Sequence, residues 1–215
     1  AAALLRAGGE VRGAAAERLW EAVSGGAVRP WHVQSGWVKC QCAGSLALAP
    51  RVGGVVAELL GVEGVRLYHD NTLSRCAGSP RTRWHCDDGP GALMATASER
   101  CVTVWVPLQR TPPEMGALAF ARAPPAGHDA FSIAALPGCP ADEKSDEYDA
   151  FVAAKLEEAL GGEGPDVEGY ELGDISVHMT GVFHCAGANL TTGTRMIVGS
   201  TYFEDGATMR GEEGA

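Results

Sequence analysis

The sequence predicts a mainly β domain with flanking helices, built as an antiparallel sandwich or barrel. Three observations carry this reading. Seven short segments between Val65 and Phe203 are rich in β-branched and aromatic residues and are separated by Gly, Pro, Asn or Thr. Helical spacing is confined to stretches outside them or to one insertion between them. The length of 215 residues, with 46% hydrophobic and 20% charged residues, suits one sizeable folded domain and is short for two.

The elements follow in order. Residues 10–24 read as a helix, with Leu19, Trp20 and Val23 on one stripe and Gly25-Gly26 at its end. A second helix is expected over 50–60, where Pro50 opens it, Val52, Val55, Val56, Leu59 and Leu60 keep helical spacing, and Gly61 closes it. The expected strands are Val65–His69, Arg81–Asp87, Cys101–Pro107, Gly116–Ala121, Asp174–Met179, Val182–Cys185 and Thr194–Phe203. Between the fourth and fifth, Ser145 is placed to cap a helix. Acids follow it, Tyr148, Val152, Leu156, Ala159 and Leu160 form its apolar stripe, and Gly161-Gly162 ends it. The chain divides into a mainly helical flank over 1–64, a β core over 65–203 with a helical insertion at about 141–162, and a tail over 204–215, all one domain.

The formal charge is −10. Such a surplus disfavours nucleic acid, whose backbone is bound by cationic side chains. The charge is localised: residues 141–171 hold eleven acids and two lysines, so the rest is nearly balanced. The simplest reading of that run is the solvated face of an exposed helix. No apolar run of membrane-spanning length is expected, and charges in the first 25 residues argue against a secretory signal. Seven cysteines without a disulfide-framework spacing read as reduced thiols, and the cytoplasm is the default compartment.

Candidate chemistry begins at His85-Cys86-Asp87. In an extended strand, residues i and i+2 share a face, so this triplet offers one nitrogen and one oxygen ligand side by side. A second imidazole from the His178–His184 stretch would complete a two-His, one-carboxylate face. That face leaves open positions suited to Fe(II) oxygen chemistry, whereas zinc prefers a closed shell or a single open site. Arg195 follows His184 by eleven residues, so a hairpin could place its guanidinium nearby, ready to grip a carboxylate. A 2-oxo diacid would chelate iron at one end and reach the arginine with the other. Two rival readings remain: a cupin-like metalloenzyme that is not an oxygenase, and a jelly-roll binding module whose catalytic cycle has lapsed.

From about Val65 to Phe203 the chain resembles the phytanoyl-CoA dioxygenase family of Fe(II)- and 2-oxoglutarate-dependent oxygenases. The stretches that carry the resemblance are RLYHDNTLSRCAGSPRTRWHCDDG, VTVWVPLQRTPPEMGALAF and GDISVHMTGVFHCAGANLTTGTR, in that order. The resemblance implies a double-stranded β-helix (jelly-roll, cupin-like) that uses Fe(II), 2-oxoglutarate and O2 on a small-molecule substrate. It implies His85, Asp87 and His184 as iron ligands and Arg195 as the partner of the distal 2-oxoglutarate carboxylate. Asn71 and Trp105 match positions that touch the cosubstrate; the alternatives are a turn or strand-edge amide and a core tryptophan. Asn189 reads first as a turn residue. With Asp87 present, hydroxylation of an unactivated C–H, releasing succinate and CO2, is expected in preference to halogenation. Ala186 departs from the family, where a hydroxyl residue often stands.

Overall fold

The computed structural model describes residues 2–5, 31–87, 101–121, 137–142, 145–159 and 166–208. The expected helix at 10–24 lies outside them, as do Gly161-Gly162. Among the described residues, ten strands form two antiparallel sheets. The larger has the order β1 (Ala2–Leu5), β8 (Ile175–Met179), β5 (Cys101–Pro107), β10 (Arg195–Glu204), β3 (Val65–Arg75) and β2 (Trp31–Gln34). The smaller has the order β4 (Thr82–His85), β9 (His184–Ala186), β6 (Leu118–Phe120) and β7 (Asp166–Val167). This is the double-stranded β-helix. Sequence-distant strands are neighbours in both sheets, as a jelly-roll requires.

The expected strands all form, most of them with shifted ends. β5 matches its predicted span. β3 continues six residues past His69, through Asp70 and Asn71, because it is sandwiched between β10 and β2 and its ladder overrides weak local propensity. The segment predicted as Arg81–Asp87 is strand only over Thr82–His85, so Asp87 lies in the turn beyond β4. The flank expected to be mainly helical also supplies β1 and β2 as the two edges of the larger sheet. Their four-residue length gives no sustained alternation to detect.

Helices α1 (Gln41–Ala47) and α2 (Pro50–Leu60) cover the outer face of the larger sheet. Pro50 starts α2, and Gly61, in the left-handed region at φ 66°, ends it. Val56 packs with Val102, Val104, Val177 and Tyr202. Burying such a valine contributes about 1.5–2 kcal/mol. Leu59, placed on the predicted apolar stripe, is instead half exposed. Contrary to the expectation from sequence, Gln41–Leu60 is long and apolar enough to cross a membrane, at a mean hydropathy of 1.3. It is broken between Ala47 and Pro50, and Ala43, Ala47, Val56 and Ala57 are buried within the fold.

Helix α3 (Asp146–Ala159) begins as predicted: the Ser145 hydroxyl accepts a hydrogen bond from the Tyr148 amide at 3.0 Å. Its stripe of Tyr148, Val152 and Leu156 packs on Trp84, Ala121 and Phe183. The helix is not merely a solvated acidic face. Asp149 is buried, accepts the Trp84 amide at 2.8 Å, and pairs with Arg81, while Asp146 pairs with Arg83 at 2.5 Å. The acids of α3 and the arginines before His85 therefore join the helix to β4, the strand that carries His85.

Candidate functional site

The two sheets face each other across a cavity of about 290 Å³ that is lined by all six residues singled out from the sequence: Asn71, His85, Asp87, Trp105, His184 and Arg195. The larger sheet supplies rows of inward side chains two residues apart. One row runs His69, Thr201, Thr103, His178 across β3, β10, β5 and β8. The next runs Asn71, Gly199, Trp105, Ser176. Farther along β10, Arg195 lies directly opposite Arg75 on β3. The smaller sheet answers with a row of His85, His184 and Phe120. Strand alternation thus sorts the cavity into a histidine-rich end and an arginine end.

At the first end, one ligand atom from each of His85, Asp87 and His184 lies within 4.8 Å of the others. His85 and His184 are directly paired across β4 and β9, with ring centroids 4.2 Å apart. Their Nδ1 atoms are tied back to the carbonyl oxygens of Arg83 and Val182, at 2.8 and 3.0 Å. That fixes the tautomer by donating Nδ1–H to backbone and leaves Nε2 as the lone-pair donor. Burial, together with the neighbouring His178 and His85, pushes the His184 pKa down to about 3, so this imidazole stays neutral, as ligation requires.

Asp87 is held from the opposite sheet. Its Oδ2 accepts from the Thr103 hydroxyl at 2.6 Å and lies 3.3 Å from His178 Nε2. Burial by itself would raise the Asp87 pKa, but the hydrogen bond from His178, the electrostatic interaction with the two imidazoles beside it, and the Thr103 hydroxyl outweigh it. The carboxyl is held well below its usual range. A hard carboxylate oxygen beside two oriented imidazoles, with the rest of the coordination sphere opening into a cavity, fits a divalent iron ion. His178 and Thr103 were not assigned a role from the sequence, although the inward alternation of Ser176 and His178 on β8 was a signal for the former.

At the second end, Arg195 is buried, its Nη1 donates to the Gly116 carbonyl, and its Nε has no partner. No carboxylate among the described residues pairs with it. Its guanidinium carbon lies 5.8 Å from the centre of the Trp105 ring, so the side chain reaches back along the cavity toward the histidines. Burial, and next the Arg75 cation, lower the Arg195 pKa to about 10, which leaves it charged at neutral pH. A buried cation without an acid is costly unless an anion enters. This suits a ligand carboxylate.

The two less specific positions differ. Trp105 is buried, packs against Tyr170 with tilted rings whose centroids are 4.8 Å apart, and lines the cavity, so it serves core and cavity wall together. Asn71 is neither in a turn nor at a strand edge: β3 has partners on both sides, and Asn71 Oδ1 accepts from His32 Nε2 at 2.8 Å. Asn189 does close a turn. Its Nδ2 donates to the carbonyls of Arg75 and Gly193, and its Oδ1 accepts from Thr191. Ala186, the departure noted above, lines the cavity without a hydrogen-bonding group.

A model of the family described as phytanoyl-CoA dioxygenase (PhyH) matches residues 11–197. No curated protein matches the chain in sequence. Among solved structures, EctD from S. alaskensis with bound Fe is similar with a TM-score of 0.71 at 15% identity, over 97% of this chain and 74% of that one. The non-heme alpha ketoglutarate dependent epimerase SnoN from nogalamycin biosynthesis is similar with a TM-score of 0.69 at 22% identity, over 100% and 82%. The carbocyclase SnoK from the same biosynthesis is similar with a TM-score of 0.66 at 20% identity, over 99% and 83%. At these identities the likeness is one of fold.

Proposed function

Because this chain belongs to the phytanoyl-CoA dioxygenase family of iron- and 2-oxoglutarate-dependent oxygenases, we propose that it hydroxylates an unactivated C–H bond of a small-molecule substrate, with release of succinate and CO2. The observation that carries the reading is the polarity of one cavity: His85, Asp87 and His184 converge at one end, and Arg195 stands at the other without an acidic partner among the described residues. The histidines and Asp87 would hold the iron, and Arg195 would take the distal carboxylate of the cosubstrate in bidentate fashion.

Iron with 2-oxoglutarate and O2 supplies the oxidising power, one oxygen atom leaving in succinate and the other going to the substrate. The chain's own residues do the positioning. The carbonyls of Arg83 and Val182 aim the two imidazoles, Thr103 and His178 aim the carboxylate, and the Gly116 carbonyl orients the guanidinium. Trp105, Leu118, Ala186 and Ile197 form an apolar waist between the two ends, which keeps water from the cosubstrate. Asp87 would supply a carboxylate where a halogenase would need room for a halide, which supports oxygen transfer over halogenation.

The experiment is anaerobic addition of Fe(II) and 2-oxoglutarate, followed by O2 and a metabolite panel. A visible charge-transfer band and succinate release are expected, both lost in His85→Ala. Absence of band and succinate with any metal overturns the reading. SnoN is an epimerase and SnoK a carbocyclase, so the product's mass also decides between outcomes. Hydroxylation adds an oxygen atom, ring closure removes two hydrogens, and epimerisation leaves the mass unchanged.

A further inference from the structure

Arg195 and Arg75 are paired directly across β10 and β3, and both line the cavity. Like charges directly opposite each other on a sheet destabilise it. Nothing in the described structure offsets this pair: neither guanidinium has a carboxylate partner among the described residues. Among the described residues, Arg75 is anchored by donating from Nη2 to the Thr82 hydroxyl at 3.1 Å. That bond crosses from the larger sheet to the smaller, because Thr82 sits on β4 opposite Ala186 of β9. Asn189 holds the Arg75 carbonyl from the loop before β10, so the backbone beneath the side chain is also set in place. Two fixed cations facing one cavity, neither paired with an acid among the described residues, make a site for an anion.

Resting on the function proposed above, we infer that Arg75 is a second cationic binding residue at the distal end of the cosubstrate pocket. Arg195 and Arg75, the latter steadied by Thr82, together select a 2-oxo acid that carries a second carboxylate over one that does not. Arg195 is the bidentate partner of that carboxylate, and Arg75 supplies a further charge and donor to it. The mutual repulsion of the two arginines is relieved only when the dianion enters.

The test uses the Mn(II)-loaded protein titrated calorimetrically with 2-oxoglutarate and, separately, with 2-oxobutanoate, which lacks the distal carboxylate. Arg75→Gln is expected to weaken 2-oxoglutarate about tenfold, the size of one charge-assisted hydrogen bond, and to leave 2-oxobutanoate within about twofold. Thr82→Val, which frees Arg75 without removing it, is expected to weaken 2-oxoglutarate by about threefold. The melting temperature of the ligand-free Arg75→Gln protein is expected to equal or exceed that of the wild type, because a repulsion has gone; a structural role would lower it. Unchanged 2-oxoglutarate affinity in Arg75→Gln, or equal losses for both acids, overturns the role of Arg75 alone. A wild-type protein that binds neither acid overturns the proposed function and this inference with it.

Discussion

Thr103 and His178 stand directly opposite each other on β5 and β8, and both donate to the same oxygen of Asp87. The larger sheet thereby orients a carboxylate whose backbone belongs to the turn after β4, in the opposing sheet. Partners of this kind typically govern metal affinity by 10–100-fold, as an order of magnitude. Thr103→Val keeps the shape and removes the donor, so iron affinity is expected to fall by about tenfold with little change in fold. His178→Ala also opens space beside His184 and is expected to cost more. Metal titration of the two variants, with circular dichroism as the control, checks the order.

Arg195 makes the sharper separation between binding and chemistry. Arg195→Gln is expected to raise the KM for 2-oxoglutarate by about 100-fold while Fe(II) affinity stays near that of the wild type, since the guanidinium contacts the Gly116 carbonyl and the Trp105 ring, away from His85, Asp87 and His184. Arg195→Lys retains charge but not the fork and should recover only part of the loss. Equal damage to iron binding and cosubstrate binding would remove Arg195 from the role assigned to it.

Asp149 couples helix α3 to the strand bearing His85. Its carboxylate is buried, accepts the Trp84 amide and pairs with Arg81. Asp149→Ala leaves a buried amide and a cation unpaired, at an expected cost of about 3 kcal/mol in stability. Iron affinity should fall in parallel, because β4 loses its tether one residue before His85. Chemical denaturation with and without Fe(II) measures both effects.

Asp70 gives the pH dependence. It lies on the outer face of β3, wholly buried, where Oδ1 accepts the Trp37 amide at 3.2 Å and Oδ2 has no partner. Burial raises its pKa, against the pull of the backbone amides of Trp37, Asp70 and Gly36 and the charge of His69. The folded state thus holds its proton more tightly than the unfolded chain. Stability from this group is complete below the unfolded carboxyl pKa and is lost as pH rises through the higher folded value. Asp70→Asn keeps the acceptor and removes the charge. Its melting temperature should exceed that of the wild type at pH 8, with the gap closing toward pH 4.

Local chemistry alone made much of this protein legible. Strands as strongly patterned as Cys101–Pro107, the Pro50 start and Gly61 stop of α2, and the Ser145 cap all express short-range rules, and the structure follows them. Motif order was enough to indicate the family, because the His85–Asp87, His184 and Arg195 stretches in one sequence are specific together. Edge strands were not legible: Ala2–Leu5 and Trp31–Gln34 are strands because β8 and β3 offer them unpaired ladders, a cause absent from their own residues.

The candidate site divides the same way. His85 and Asp87 are neighbours in sequence, so their proximity was legible, although Asp87 lies in the turn beyond β4 and not on the strand pleat expected from the sequence. The remaining contacts depend on which strands become neighbours. Thr103 and His178 reach Asp87 only because β5 and β8 pair, and Arg75 faces Arg195 only through the register of β3 on β10. The acidic run at 141–171, read from composition as a solvated face, becomes in part the clamp on β4 once α3 docks. Residue types, their order and most of the strands that bear them follow from local chemistry. The tertiary structure decided which side chains meet, because sheet register and helix docking are set by long-range pairing, and periodicity within a segment carries no record of its partner.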